Sequence, residues 1–243
     1  KLRKHSYHTS PHCIYFMLRI VLVLFLCCAC AALSRLPSGR SRIAPQISNS
    51  LTTLNLFPKF MQSASNSAKV DDLKAKILLE SKGTKNGITA TVEQREAVAQ
   101  LVKSLEKENK IKKLTSSDIL DGTWKLAYTT NEGSSAGKIG PFVGDVLQIV
   151  DLAEKYYVNN VKILSGAVEA SLTADWDELS TTKWQVNFKD ISLRLFGIKV
   201  LDKPFGNVSG IWRMTYLDDS MRILYAIGGK NTVRENLYIL IKE

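Results

Sequence analysis

Residues 208–229 read VSGIWRMTYLDDSMRILYAIGG, and the fold of the chain can be inferred from this stretch outward. In its first half, large side chains recur at every second position, which is the period of a β-strand. The side chains expected to share one face are Trp212, Met214 and Tyr216. A turn is expected at Asp218-Asp219. The alternating run after the turn consists of Met221, Ile223, Tyr225 and Ile227. The stretch therefore predicts a β-hairpin.

The same alternation recurs on both sides of this hairpin. A glycine turn at residues 228–231 leads to a closing strand that carries Leu237, Ile239 and Ile241. Upstream strands are expected at residues 121–128, 145–152, 156–164, 168–177, 184–188 and 191–195. Successive hairpins without intervening helices predict roughly eight or nine antiparallel strands, enough to close a barrel with room for one apolar ligand.

Two helices are expected before the strands, which makes the fold α+β and mainly β. The first covers residues 71–82 and ends at Gly83. The second begins at Thr91, which can form a capping box with Gln94. The apolar stripe of the second helix consists of Val98, Leu101, Val102 and Leu105. We expect the helical pair to pack over one mouth of the barrel. The alternative is an amphipathic pair that faces a partner or a membrane.

Charge is distributed unevenly along the 243 residues. The formal net charge is +10, yet no Asp or Glu occurs before Asp71, where nine of the 33 basic residues lie. The remaining 24 basic residues almost balance the 23 acidic ones. The basic excess therefore belongs to the N-terminal segment and gives no argument for nucleic acid binding.

The first 68 residues are typical of a targeting leader. Residues 1–16 precede the first methionine and are interpreted as upstream translation or a fragment edge. Residues 17–33 combine Arg19 with an apolar stretch that ends in small residues, the pattern of a signal peptide; a retained signal anchor is the alternative. Residues 34–68 lack acids and are rich in Ser, Arg and Asn, so they resemble a disordered plastid transit peptide. Together they predict plastid import through the endomembrane system.

Every cysteine and histidine of the chain lies in this leader. They are Cys13, Cys27, Cys28, Cys30, His5, His8 and His12. Residues 69–243 therefore have no structural disulfide, no Cys/His zinc site and no Cys-His or Ser-His-Asp catalysis. We predict no metal site, no cofactor and no catalytic residue. Residues 133–138, GSSAGK, lack the spacing of a phosphate loop, and we interpret them as a flexible loop at the barrel mouth.

Two motifs resemble those of the plastid lipid-associated proteins, the PAP/fibrillin family. Residues 120–130 read LDGTWKLAYTT and are similar to the opening strand of that family. Its C-terminal signature is matched by Trp212, residues 215–218, Arg222-Ile223, Gly228-Gly229 and the apolar last strand. The resemblance extends more loosely over about residues 70–243. We therefore place the domain at residues 69–243, with helices within 70–113 and the barrel within 120–243.

The resemblance implies a lipocalin-like barrel and a non-enzymatic function. It implies binding or carrying of carotenoids, quinones, tocopherols or acyl lipids at thylakoid or plastoglobule surfaces. By analogy with lipocalins, Gly122 and Trp124 open the first strand, and Arg222 packs on Trp124 to plug the closed end. Asp218 belongs to the turn of the C-terminal signature.

The inward faces of the strands supply the candidate cavity residues. These are Trp124, Leu126, Tyr128, Ala170, Leu172, Trp176, Trp184, Trp212 and Tyr216. Small residues favour a hollow barrel; they are Ala127, Ala167, Ala170 and Ala174. The alternative is a structural linker whose barrel is filled and whose outside binds a photosystem antenna or a lipid-biosynthetic enzyme. An enzyme, the third hypothesis, would need acidic or tyrosine side chains that converge in the cavity.

Overall fold

The computed structural model describes residues 59–228 and 234–243, with side chains from residue 66 onward. Several predictions concern residues outside the described ranges: the signal peptide, the residues before it, residues 34–58 of the expected transit peptide, all cysteines and histidines, and part of the last glycine turn. Residues 59–68, which were expected to be disordered, are helical. Two helices are described, α1 (Lys59–Ser81) and α2 (Val92–Glu106). The strands are β1 (Gly122–Thr129), β2 (Lys138–Ile139), β3 (Phe142–Val143), β4 (Asp145–Asp151), β5 (Tyr156–Ile163), β6 (Val168–Ser180), β7 (Lys183–Leu195), β8 (Ile198–Leu217), β9 (Met221–Gly228) and β10 (Asn236–Lys242).

Eight of these strands form a closed antiparallel barrel in the order β1-β10-β9-β8-β7-β6-β5-β4. Strand β1 pairs with β10 on one side and with β4 on the other, which closes the sheet. From β4 to β10, each strand pairs with the next one in the chain. The short hairpin β2-β3 forms a separate small sheet in the connection between β1 and β4. The predicted α+β, lipocalin-like fold is confirmed.

A β-bulge in β1 reverses the face on which its last large side chain lies. Leu126 pairs with Leu240, but Tyr128 pairs with the next residue of β10, Ile239, so Ala127 is an extra residue. An extra residue moves the following side chains to the other face of the strand. Tyr128 therefore points to the outside of the barrel, and the expectation that it shares a face with Trp124 is corrected.

Strand β8 contains a second bulge with the same effect. Met214 pairs with Leu224, whereas Tyr216 pairs with Ile223, which leaves Thr215 as the extra residue. Met214 belongs to the barrel interior, and Tyr216 belongs to the cluster on the outside. The expectation of one common face for Trp212, Met214 and Tyr216 is therefore wrong at its last member.

Both helices pack on the outer wall of the barrel rather than over a mouth, which corrects the expected position. Their buried side chains are Leu73, Ile77, Val98, Val102 and Leu105. These join the outward-facing side chains of β1, β8, β9 and β10 in one cluster, which includes Tyr128, Tyr216, Met221, Ile223, Leu237 and Ile239. Strands β9 and β10 are consequently buried on both faces. The capping box predicted at Thr91 and Gln94 is present at the start of α2.

The connection from α2 to β1 covers one end of the barrel, the end where β1 begins. Leu114 and Leu120 of this connection are buried in the interior cluster. The Thr115 hydroxyl donates a hydrogen bond to the Glu178 carboxylate at 2.7 Å, and the Thr115 amide donates to the Thr181 carbonyl at 3.2 Å. The connection is thereby joined to the β6–β7 turn, and this end of the barrel is closed. None of the helices in the described part of the chain combines the length and apolar character needed to span a bilayer.

Asp218 holds the β8–β9 turn and joins helix α1 to it. Its Oδ1 accepts hydrogen bonds from the amides of Ser220, at 2.9 Å, and Met221, at 2.8 Å. Its Oδ2 accepts from the Tyr216 hydroxyl, at 2.6 Å, and from Lys74 Nζ, at 2.9 Å. Burial opposes ionisation of the carboxyl, but these hydrogen bonds outweigh burial and lower the pKa of Asp218 to about 2. A half-buried charge with several hydrogen-bond partners thus lies beside the outer cluster.

We expect Asp218→Asn to destabilise the protein in a pH-dependent manner. Because the pKa of Asp218 is lower in the folded protein than in the unfolded chain, the ionised carboxylate stabilises the fold at neutral pH. This stabilisation is lost as the pH falls from the ordinary pKa of an aspartate toward the folded pKa of about 2. Urea unfolding should show a loss of about 2 kcal/mol at neutral pH and a much smaller loss near the folded pKa. Asp219→Asn, at the exposed neighbouring position, is the control. An equal loss at both pH values would contradict this account.

Candidate ligand cavity

The interior of the barrel is filled at its closed end by aromatic side chains. Trp176 and Trp184 stack with ring centroids 4.4 Å apart and planes 18° from parallel. Trp124 and Trp184 are fully buried, and Leu126 lies in the same cluster. This packing leaves the inward-facing space near the β6–β7 turn occupied by the chain itself.

Trp124 contacts two cations at this closed end. The guanidinium carbon of Arg222 lies 5.0 Å from the ring centroid, and Lys242 Nζ lies 4.5 Å from it. The indole nitrogen donates a hydrogen bond to the Leu120 carbonyl at 2.8 Å. Gly122, two residues earlier, has a φ of 107°, a conformation that favours glycine. Lys242 is a contact that sequence reasoning missed, because it comes from the far end of the chain.

The opposite half of the barrel contains a cavity of about 300 Å³. Its apolar wall is formed mainly by Val161, Ala170, Leu172, Phe188, Ile191, Phe205, Val208, Trp212, Leu224 and Ala226. Its polar lining includes Asn131, Ser134, Ser135, Gln148, Tyr157, Asn159, Asn236 and Tyr238. Ser134 and Ser135 belong to the GSSAGK segment, which therefore lies at this cavity. The segment forms a 3₁₀ turn at Ser134–Ala136 and leads into β2, where a flexible loop was expected. The cavity is the candidate functional site.

Bulges and aromatic contacts shape the cavity wall. In the β6–β7 pairing, Leu172 lies opposite Ile191 and Ala174 lies opposite Phe188, so β7 has an extra residue in this interval. The bulge allows both Phe188 and Ile191 to line the cavity. Phe188 contacts Phe205 edge to face at 5.8 Å, and Tyr157 contacts Trp212 in the same manner at 4.9 Å. These ring contacts fix the positions of the aromatic side chains in the cavity wall without a ligand.

Below the floor of the cavity lies a buried cation. Arg222 is fully buried, and its Nη2 donates a hydrogen bond to Gln148 Oε1 at 2.6 Å. Its Nε and Nη1 have no hydrogen-bond partner among the described residues. Burial lowers the pKa of Arg222 to about 10, so the guanidinium keeps its charge at neutral pH. The floor residue Gln148 therefore separates the cavity from a positive charge.

The polar atoms of the cavity lining are suited to hydrogen bonding rather than to proton transfer. Burial raises the pKa of the Tyr157 hydroxyl, and burial also raises that of Tyr238, although Ser135 and Thr129 act in the opposite direction. Both phenols are therefore neutral at physiological pH. Asn159 Oδ1 is buried and accepts no hydrogen bond from the described residues. A ligand with a hydroxyl or amide donor would satisfy it.

The candidate cavity residues from the sequence fall into three places. Ala170, Leu172 and Trp212 line the cavity. Trp124, Leu126, Trp176 and Trp184 fill the closed end instead, and Tyr128 and Tyr216 lie outside the barrel against the helices. Of the small residues, Ala170 lines the cavity, whereas Ala174 is packed in the interior cluster. Sequence reasoning missed Tyr157, Asn159 and Tyr238, although each stands at an alternate, inward-facing position of a predicted strand.

The acidic side chains that an enzyme would need in the cavity are absent from its described lining. Asp175 and Asp177 alternate with the inward-facing Trp176 and both accept hydrogen bonds from Asn187, at 3.0 and 2.9 Å, on the outer surface. The residues that line the cavity in the described part of the chain include no Asp, Glu, Lys or Arg. Among the described residues, no group of three or more His, Cys, Asp or Glu could hold a metal ion.

We expect the two halves of the interior to respond differently to truncation. Trp184→Ala should lower the free energy of unfolding by about 3–5 kcal/mol, because it leaves a hole in the packed end. Leu172→Ala should cost only about 1 kcal/mol, because this side chain already borders empty space. Urea unfolding of both variants measures the difference. Similar losses would show that the two ends are packed alike.

Comparison with known proteins gives one family. The family model PAP_fibrillin matches residues 71–234. Probable plastid-lipid-associated protein 11, chloroplastic, of Arabidopsis thaliana is 30% identical over 121 residues, which cover 48% of this chain and 56% of that protein. Probable plastid-lipid-associated protein 8, chloroplastic, of the same plant is 25% identical over 67% of this chain and 70% of its own length. The chromoplast-specific carotenoid-associated protein C1 of an Oncidium hybrid cultivar is 25% identical over 72% of this chain and 70% of its own length.

Proposed function

The chain belongs to the PAP/fibrillin family, and on that premise we propose that it binds or carries a small hydrophobic molecule of the plastid without catalysing a reaction. The observation that carries the proposal is the cavity of about 300 Å³ at the open end of the barrel. Its apolar wall would take hydrocarbon out of water, and each buried CH₂ contributes about 0.8 kcal/mol. The uncharged lining supports binding over catalysis.

The dimensions and polarity of the cavity indicate how the ligand lies. A volume of about 300 Å³ is at the lower end of the range for ligand pockets. A ring or polar head group therefore fits inside, while a long isoprenoid or acyl tail leaves through the mouth. Gln148, Tyr157 and Asn159 would bind the polar end of a quinone, a tocopherol or an acyl lipid, and a carotenoid would enter by one end group. The relatives' names, chloroplastic and chromoplastic, support a plastid location. Within the plastid, the proposed site of action is a thylakoid or plastoglobule surface.

The structural linker is the second candidate, and the filled closed end favours it. There the barrel is occupied by its own tryptophans, so the outside would bind a photosystem antenna or a lipid-biosynthetic enzyme. Native purification of the processed protein, followed by organic extraction and mass spectrometry, separates the two. We expect a stoichiometric carotenoid, quinone, tocopherol or acyl lipid. An empty protein that co-purifies with an antenna complex or an enzyme would overturn the carrier and favour the linker.

We expect Ala170→Phe to block the cavity without unfolding the protein. The new ring would occupy space that a ligand needs, so binding of decylplastoquinone should weaken by at least about tenfold, while the free energy of unfolding stays within about 1 kcal/mol. Quenching of Trp212 fluorescence measures binding, because Trp212 lines the cavity and the other tryptophans lie in the closed end. Trp212→Phe should remove most of the quenching signal.

Glu169→Phe is the matched control for this substitution. It adds the same ring at the adjacent position of β6, where the side chain faces away from the cavity and its ion pair with Lys162 at 3.6 Å is partly exposed. Quinone binding should therefore equal that of the unchanged protein. Equal binding by the Ala170→Phe variant would contradict the assignment of this cavity as the ligand site.

A further inference from the structure

Large apolar side chains are exposed at the end of the barrel where the cavity opens. The β7–β8 turn presents Phe196, which is 81% exposed, and β8 continues with Ile198, at 70%, and Val200, at 50%. Leu164, in the turn between β5 and β6, is 59% exposed. We call these four residues the apolar tip. Contiguous exposed apolar groups of this kind mark sites of interaction with a protein or a membrane.

The turn itself does not require an aromatic residue. Phe196 has a φ of 50° and Gly197 a φ of 80°, the conformation of a two-residue hairpin turn in which Asn-Gly is preferred. Phenylalanine in this conformation is unusual and costs backbone energy. The Phe196 amide donates a hydrogen bond to the Ala167 carbonyl at 2.7 Å, which connects the β7–β8 turn to the β5–β6 turn. The apolar tip is therefore one surface held by backbone contacts.

The apolar tip is continuous with the cavity wall. Leu195 pairs with Ile198, and Leu193 pairs with Leu201 two positions nearer the barrel. These residues share the face of β7 that carries Ile191, which lines the cavity. An apolar track thus extends from the cavity to the tip.

Basic residues lie on the hairpin beside the apolar track. Arg194 lies directly opposite Lys199 on β8 and opposite Glu169 on β6. Glu169 is itself paired with Lys162 at 3.6 Å. Lys203 is exposed and lies opposite Ile191, so it borders the track on the same face of the hairpin. Asp202 is the one acidic residue between positions 191 and 205, and it binds Lys199 Nζ at 2.6 Å. The hairpin therefore offers a net positive charge next to its apolar end.

We infer that the apolar tip inserts into a lipid surface that carries anionic head groups. Hydrocarbon accepts Phe196, Ile198, Val200 and Leu164, while Arg194 and Lys203 lie at the level of the head groups. The inference rests on the proposed function and deepens it, because insertion places the mouth of the cavity against the lipid that supplies or receives the ligand. The track from Ile198 to Ile191 lets an apolar ligand move between the lipid and the cavity without crossing water.

The first test follows the tip itself in the full chain. Phe196→Trp places a fluorescent indole at the tip, and Leu79→Trp places one at an exposed position of α1 (68% exposed), remote in sequence and on another element. Vesicles of phosphatidylcholine and phosphatidylglycerol, with lipids brominated on the acyl chains, are added to each variant. We expect the added indole of the Phe196→Trp variant to be quenched and that of the Leu79→Trp variant to be unchanged. This readout reports on one position, so lipid binding by any other segment does not produce it.

The second test removes the apolar character and keeps the backbone preferences. Asn at position 196 suits the turn and Thr at position 198 suits the strand, so F196N/I198T should fold normally. We expect the partition of this variant onto the same vesicles, measured by flotation, to fall by at least about tenfold relative to the unchanged protein. Lys203→Gln should weaken partition by about fivefold, and only when phosphatidylglycerol is present. Leu79→Gln, the control, should float like the unchanged protein.

The outcomes separate this inference from the proposed function. Quinone quenching of Trp212 in F196N/I198T should be unchanged, because the substituted residues do not line the cavity. Loss of vesicle partition with retained quinone binding supports the inference. In the Phe196→Trp variant, an added indole that remains accessible to aqueous iodide with vesicles present would overturn the inference. The inference would also be overturned if the unchanged protein did not float with vesicles but formed a dimer that F196N/I198T does not form. Both outcomes are independent of the quinone result. Absence of quinone binding in every variant would overturn the proposed function alone.

Discussion

Closure of the sheet by β1 governs the arrangement of every other part of the structure. The first strand pairs with the last one in the chain, where Trp124 lies opposite Lys242, and with β4 on its other side. Closure leaves no free edge in the barrel and separates an inner face from an outer face. The two motifs that carry the family resemblance are therefore neighbours in space. Lys242 and Arg222, which come from this late part of the chain, hold Trp124 at the closed end.

Two extra residues decide how the wall of β8, β9, β10 and β1 is used. Each bulge turns a tyrosine away from the interior, and Tyr128 and Tyr216 then supply the surface on which the helices pack. The helical pair consequently stabilises the barrel from outside and leaves the open end free. Asp218 adds a polar contact to the same interface through Lys74. The position of the helices and the accessibility of the cavity are consequences of the same two bulges.

The division of the interior separates stability from binding. Stacked tryptophans fill the closed end, while small residues such as Ala170 and Ala226 leave space at the other. The proposed ligand would lie with its polar end toward Gln148 and the buried charge of Arg222 below the floor. Its apolar end would point to the mouth, where the apolar tip begins. The proposed orientation therefore follows from the hydrogen-bonding groups at the floor and from the apolar track that leaves the mouth along β7.

The amino-acid sequence alone determines the period of the strands, the capping box of α2, the family, and the absence of cysteine and histidine from the barrel domain. These features depend on local chemistry and composition. The analogy with lipocalins also predicted that Trp124 and Arg222 meet. The tertiary structure decides which inward positions are filled and which border the cavity. Trp184 and Phe188 belong to the same alternating run of β7, yet Trp184 is packed in the closed end and Phe188 lines the cavity. The faces of Tyr128 and Tyr216 depend on bulges, which are set by pairing with a partner strand and not by the strand's own residues.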